Sequence, residues 1–167
     1  TEFVTDNKAN ISVETTIFNA KGEKLTTHTT QSTQYTGDVL SNELYINHPT
    51  LWDIGKPYLY KAVTKLYENG VVKDEMSTTF GIRSIELKPN DGLYLNGRKI
   101  KIQGVCMHHD LGALGGAVNE AAIRRQIRIM QDMGANTIRT SHNMPAPEYV
   151  RAADEMGMLL AVESFDE

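Results

Sequence analysis

Six residues in the second half of the chain carry side chains suited to chemistry: Cys106, His108, His109, Arg139, His142 and Glu163. Histidine titrates near neutrality and both donates and accepts hydrogen bonds. A carboxylate serves as acid, base or anchor, and an arginine grips a carboxylate with two prongs. Their positions in the apolar pattern link them. Residues 99–110, KIKIQGVCMHHD, form an apolar strand pattern that ends in two histidines and an aspartate. The run from Asn136 to Thr140 leads into Ser141-His142, and the run from Met158 to Val162 leads into Glu163. Polar residues at the carboxyl ends of successive strands are where α/β enzymes place their sites.

The types and spacings limit what these residues can do. If the strand continues through His108 and His109, the two point to opposite faces, so only one, His108 by preference, faces a site. A metal site is thereby weakened, since an H-x-H pair would put both ligands on one side; His108, His142 and Glu163 together remain the alternative ligand set. Arg139 within a strand needs a partner, which calls for a buried polar network. Glu163 is either a general acid with a raised pKa or a carboxylate that holds Arg139 or a histidine in place. Cys106 reads as a small buried apolar residue, and as the single cysteine it excludes an internal disulfide. The glycine-rich loop 111–116 lacks both the GxGxxG spacing and the lysine of a phosphate loop.

The elements that would position these residues alternate. After the glycine-rich loop, Asn119 can cap a helix whose Ile123, Ile127 and Met130 form an apolar stripe, with Arg124, Arg125, Arg128 and Asp132 on the wet side and Gly134 at its end. Pro147 suits the first turn of a second helix that turns Tyr149, Val150, Ala153 and Met156 inward and stops at Gly157. Met158 to Val162 is continuously apolar, as a strand buried on both faces would be. Strand, helix, strand, helix, strand with short loops opens a parallel α/β fold, either an open sheet or a (β/α)8 barrel.

The first half reads differently. Residues 8–32 alternate as half-buried strands around a turn at 19–22, with Ile11, Val13, Thr15 and Ile17 on one face, and Leu25 to Thr33 suits an extended strand. Val39 to Ile46 alternates again. The loop 47–57 holds two prolines and a glycine, yet Leu51 and Trp52 should pack, Trp52 in a sandwich core or a domain interface, with sugar stacking as the minor alternative. Asn69-Gly70 between two strand patterns is a strong hairpin signal, and residues 83–87 add a short strand. Six or seven short strands without a helical period predict an antiparallel, immunoglobulin-type β-sandwich over residues 1–88, followed by an α/β part over 89–167.

Seventeen basic and twenty-one acidic residues give a formal charge of -4 without blocks, which argues against nucleic acid as a partner. No apolar run reaches the ~20 residues of a membrane helix, and no signal-peptide pattern is present.

Several separate phrases resemble those of a known family. Asn136-Thr-Ile-Arg139-Thr-Ser-His142, with Asp154 and then Gly157-Met-Leu-Leu, resembles the first signature of glycoside hydrolase family 2, and 104–116, GVCMHHDLGALGG, resembles the start of the barrel in its β-galactosidase branch. Pro49-Thr-Leu-Trp52, Pro57-Tyr-Leu-Tyr60 and Phe80-Gly-Ile-Arg83 are similar to phrases of the family's immunoglobulin-like domain. The chain departs from the family pattern at Asn143 and Met144, where tyrosine and proline are usual, and at Ala161 in an otherwise larger apolar run. The resemblance implies a TIM (β/α)8 barrel truncated after its third strand. It also implies an enzyme that removes a terminal β-linked sugar with retention, using two glutamates supplied by later strands. On that expectation these residues alone are inactive, and no catalytic residue lies among them.

By position His108 and His142 match family histidines that bind sugar hydroxyls, and Arg139 an arginine near the nucleophile; with Glu163 they are the expected substrate-binding set. No metal site or cofactor is expected here, although a divalent metal is compatible with a longer parent; Glu167, a candidate ligand by position, is given no such role. The expected partner is a β-galactoside, with β-glucuronidase or β-mannosidase as the runner-up activity and a non-catalytic carbohydrate-binding or structural module as the alternative class. Unpaired barrel edges would favour a homo-oligomer.

Overall fold

A computed structural model of the chain describes residues 10–31 and 43–164. It divides into two compact units, the first formed by residues 1–49 and 59–80 and the second by 50–58 and 81–167.

The first unit is built on a four-stranded antiparallel sheet. Its strands are β1 (Ile11–Phe18), β2 (Lys24–Gln31), β3 (Tyr60–Glu68) and β4 (Val71–Phe80), in the order β2-β1-β3-β4. Alternation places Ile11 and Val13 in a buried cluster with Leu66, and Ile17 is buried as well. Thr16, next to it on the other face of the strand, is also buried, and its hydroxyl meets that of Thr27 at 2.8 Å. Asn69 and Gly70 join β3 to β4 with φ of 50° and 78°, the left-handed pair that a two-residue hairpin needs. Of the strand expected over 39–46, residues 43–46 are not in a strand, and 39–42 lie outside the described residues.

In the second unit, β5 (Ile85–Lys88), β6 (Gly92–Leu95) and β7 (Arg98–Ile100) form an antiparallel meander. The short strand read at 83–87 thus pairs with β6. Residues 99–110 are not one strand: β7 ends at Ile100, and β8 (Gly104–Met107) begins a separate parallel sheet. The side chain of Asn136 makes the break. It accepts the Gln103 N–H at 2.9 Å and donates to the Lys101 carbonyl at 2.8 Å, satisfying backbone groups that a continuous ladder would have paired.

The parallel sheet runs β8, β9 (Thr137–Thr140), β10 (Leu159–Val162), with β9 central, and the helices α1 (Glu120–Asp132) and α2 (Pro147–Met156) form the crossovers. Asn119 caps α1 by accepting the Ala122 N–H at 3.0 Å. Ile123 and Ile127 of α1, Ile138 of β9, Tyr149, Ala152 and Ala153 of α2 and Met158 make one core. Val150, expected inward, is exposed, and Ala152 takes the buried position. Only the first residues of the last apolar run are buried: Met158 and Leu159 are, whereas Ala161 and Val162 are exposed. Gly104 admits β8 close to β9, since a Cβ there would lie 3.0 Å from the Thr137 carbonyl oxygen.

Trp52 belongs to this unit and is 1 % exposed, so it is neither sandwich core nor a sugar-stacking surface. Its Nε1–H donates to the Asp154 carbonyl at 2.7 Å, its N–H donates to the Ile82 carbonyl at 2.9 Å, and the Arg83 guanidinium lies 4.7 Å from its ring centre. Leu51 beside it is exposed, contrary to the packing its size suggested. Gly157 ends α2 in the left-handed region with φ of 72°, and a Cβ there would lie 2.7 Å from the Gly55 nitrogen, so glycine is required twice over.

Candidate functional site at the carboxyl ends of the parallel strands

In a parallel sheet, residues in register across strands share a face. Val105, Ile138 and Leu160 are in register and pack toward the helices. The adjacent row is Cys106, Arg139 and Ala161, on the face turned away from the helices. That alternation places the arginine side chain clear of the apolar core and lets it run toward the strand ends.

There it meets Glu163, one residue past β10. One carboxylate oxygen of Glu163 accepts from Arg139 Nη2, and the other lies 3.2 Å from His142 Nδ1. The imidazole of His142 in turn meets His108 edge to face, with ring centres 5.4 Å apart and planes at 65°. Arg139, Glu163, His142 and His108 therefore form one chain of contacts across the ends of all three parallel strands. Of the two readings of Glu163, the geometry is that of the anchoring carboxylate, with both oxygens engaged.

The other prong of Arg139 points back. Its Nη1 is 3.5 Å from Cys106 Sγ and 3.5 Å from Ser141 Oγ. The guanidinium and the Ser141 hydroxyl favour the thiolate and hold the Cys106 thiol below its ordinary pKa, while the contact with that sulfur pushes Arg139 further up. Cys106 is a free, exposed thiol and not the buried apolar residue expected, because it shares the face of Arg139. Arg139 is itself exposed, so the network exists but is not buried.

The backbone fixes these ends locally. Ser141, buried, donates its N–H to the Met107 carbonyl at 3.0 Å, and the Ser141–His142 peptide bond is cis. β8 stops at Met107, so the alternation argument no longer governs His108 and His109; both are exposed loop residues lining one cavity. Among the described residues, no three His, Cys, Asp or Glu side chains are grouped to hold a metal ion, and the set His108, His142 and Glu163 is no exception. Sequence reasoning passed over Ser141, whose small polar side chain carries no spacing signal. It also read Tyr149 as core alone, as any aromatic on an apolar helix stripe reads.

Two family models cover nearly all of the chain: residues 1–83 match glycosyl hydrolases family 2, and residues 85–166 match the TIM barrel domain of glycosyl hydrolases family 2. The chain belongs to glycosyl hydrolase family 2. Its first unit is accordingly the immunoglobulin-like β-sandwich of that family, and β8, α1, β9, α2 and β10 open the (β/α)8 barrel. Helices ring the outside of such a barrel, so the face bearing Arg139 is the one turned to its axis.

Among family 2 relatives, the chain is 43% identical over 163 residues to β-galactosidase BoGH2A of Bacteroides ovatus, covering 96% of this chain and 19% of that protein. It is 34% identical over 127 residues to a β-glucuronidase of Streptococcus agalactiae, covering 76% of this chain and 21% of the relative. A family 2 structure from Bacteroides cellulosilyticus superposes with a TM-score of 0.82 at 32% identity, over 93% of this chain and 20% of the other. A β-glucuronidase from Ruminococcus gnavus, solved with a C6-substituted uronic isofagomine, gives 0.83 at 26% identity, over 98% and 26%. The chain spans about a fifth of the length of the curated relatives it matches.

Proposed function

We propose that the protein is a retaining exo-β-glycosidase acting on terminal β-galactosides, in which this chain supplies part of the sugar-holding wall. The observation that carries the reading is the contact chain Arg139–Glu163–His142–His108 at the carboxyl ends of three barrel strands. His142 and His108 take sugar hydroxyls, through hydrogen bonds that tighten as the ring flattens toward the transition state. Glu163 fixes His142 through Nδ1, and Arg139 fixes Glu163.

A galactoside is favoured over a glucuronide by the state of Arg139. A uronate carboxylate needs a cation, and this guanidinium is already committed to Glu163 and to Cys106. The relative named β-galactosidase, at 43% identity, supports the same choice. β-Glucuronidase is the second reading, on the strength of the relatives that bear that name.

Retention needs two carboxyl groups about 5 Å apart, one as acid and base, one as nucleophile. Glu163, with both oxygens occupied by Arg139 and His142, is proposed as neither. By this reading the 167 residues alone hold sugar without cutting it. A panel of aryl β-glycosides tests both parts. The full protein should turn over the galactoside fastest and the isolated chain should be inert; preference for the glucuronide, or turnover by the isolated chain, would overturn the corresponding part.

A further inference from the structure

Beside the contact chain lies a cavity of about 290 Å³, bounded by the loop that follows β8 and the loop that leads into α2. Its walls are mostly apolar: Leu111, Ile123, Met144, Pro145 and Ala146 take part in them. One wall is His108, so the cavity shares a residue with the proposed sugar position. Another is Tyr149, which is 8 % exposed and whose hydroxyl is buried without any hydrogen-bond partner. A buried hydroxyl left unpaired is costly, so natural structures retain one only where something else satisfies it. Two positions where the chain departs from the family pattern, Asn143 and Met144, stand in or next to this wall.

We infer that this cavity is an aglycone subsite, taking the apolar leaving group of the glycoside, one aromatic ring or a short branched alkyl group, with a polar atom of that group paired to the Tyr149 hydroxyl. The inference rests on the sugar-binding reading of His108 and extends it to substrate class. The volume sits at the lower end of the ~300–1,000 Å³ typical of small-molecule sites, which suits a single ring. The lining suits it as well: a second sugar would need several hydrogen-bonding groups, and these walls are largely carbon. Burial pushes the Tyr149 phenol up to about 12, so at neutral pH it is a hydroxyl able both to donate and to accept.

The test uses the full protein in two arms. In the first, phenol is titrated while the Met144 methyl group is followed by carbon-13 NMR. A saturable shift is expected, about fivefold weaker in Tyr149→Phe, the loss expected for one hydrogen bond, and absent in Ala117→Leu, which fills the cavity. No Met144 shift, or a shift unchanged in both variants, overturns the proposal. In the second arm, the ratio of KM for methyl to phenyl β-galactoside is compared between wild type and Ala117→Leu. A ratio well above one that collapses in the variant supports the subsite, and one that persists overturns it. If no glycoside is turned over, the sugar reading fails by itself, and the phenol titration still decides whether the cavity takes an aromatic alcohol.

Discussion

His142 presents Nδ1 to Glu163 Oε2 at 3.2 Å, which leaves its Nε2 as the atom free for other partners. A carboxylate on Nδ1 fixes the neutral ring with the proton at that nitrogen and the lone pair at Nε2. Nitrogen-15 shifts of the histidines should report His142 in this tautomer, and Glu163→Ala should shift it toward the Nε2–H form. In the full protein the same variant should lower kcat/KM by about 100-fold, the penalty of a sugar contact misplaced by about an ångström. An unchanged tautomer would remove the anchoring role of Glu163.

Cys106 gives a pH signature. Its thiol is held below the ordinary value by Arg139 first and Ser141 second, so the thiolate forms at lower pH than in a free cysteine. The rate of iodoacetamide alkylation of the chain should therefore reach half its plateau below pH ~8.5. Arg139→Ala should move that midpoint upward. A midpoint that does not respond to the loss of Arg139 would contradict the 3.5 Å contact.

Trp52 is a stability residue of the second unit. Trp52→Ala should cost about 3–5 kcal/mol in urea unfolding, the usual loss for emptying a large buried aromatic site. Trp52→Phe keeps most of the packing but gives up the hydrogen bond to the Asp154 carbonyl, and should cost less, with about 1 kcal/mol of the loss assigned to that bond. Equal losses in the two variants would mean that the indole N–H, and not the ring, dominates.

Tyr149 predicts a loss of stability at alkaline pH. In the unfolded chain its phenol ionises near the ordinary value of 10.0, whereas in the folded state it is pushed up to about 12. Between these values the unfolded state has released a proton that the folded state retains, so stability falls as pH rises through the window, by about 3 kcal/mol in total. Tyr149→Phe should lack this component, and a pH series of denaturant midpoints for the two proteins would show the wild-type curve falling away from that of the variant as pH rises.

Features that depend on neighbours along the chain were legible in the residues alone. Asn69-Gly70 set a hairpin because both residues accept positive φ, Asn119 capped α1 three residues before the N–H it receives, and Gly157 stopped α2. The spacing of apolar residues placed β9 and β10 and put polar side chains at their ends, and the phrases around His142 and Asp154 pointed to the family that the family models established. Features that depend on residues distant in sequence emerged from packing. Asn136 divides the stretch 99–110 into two sheets from 33 residues or more away, and Trp52 is drawn into the second unit by a carbonyl 102 residues later. Register across the sheet, which no local period encodes, exposes Cys106 beside Arg139, and the strand ends bring Glu163 within reach of both Arg139 and His142. Side-chain spacing states which face a residue occupies, but which partner it meets there is set by the packing of other strands against its own.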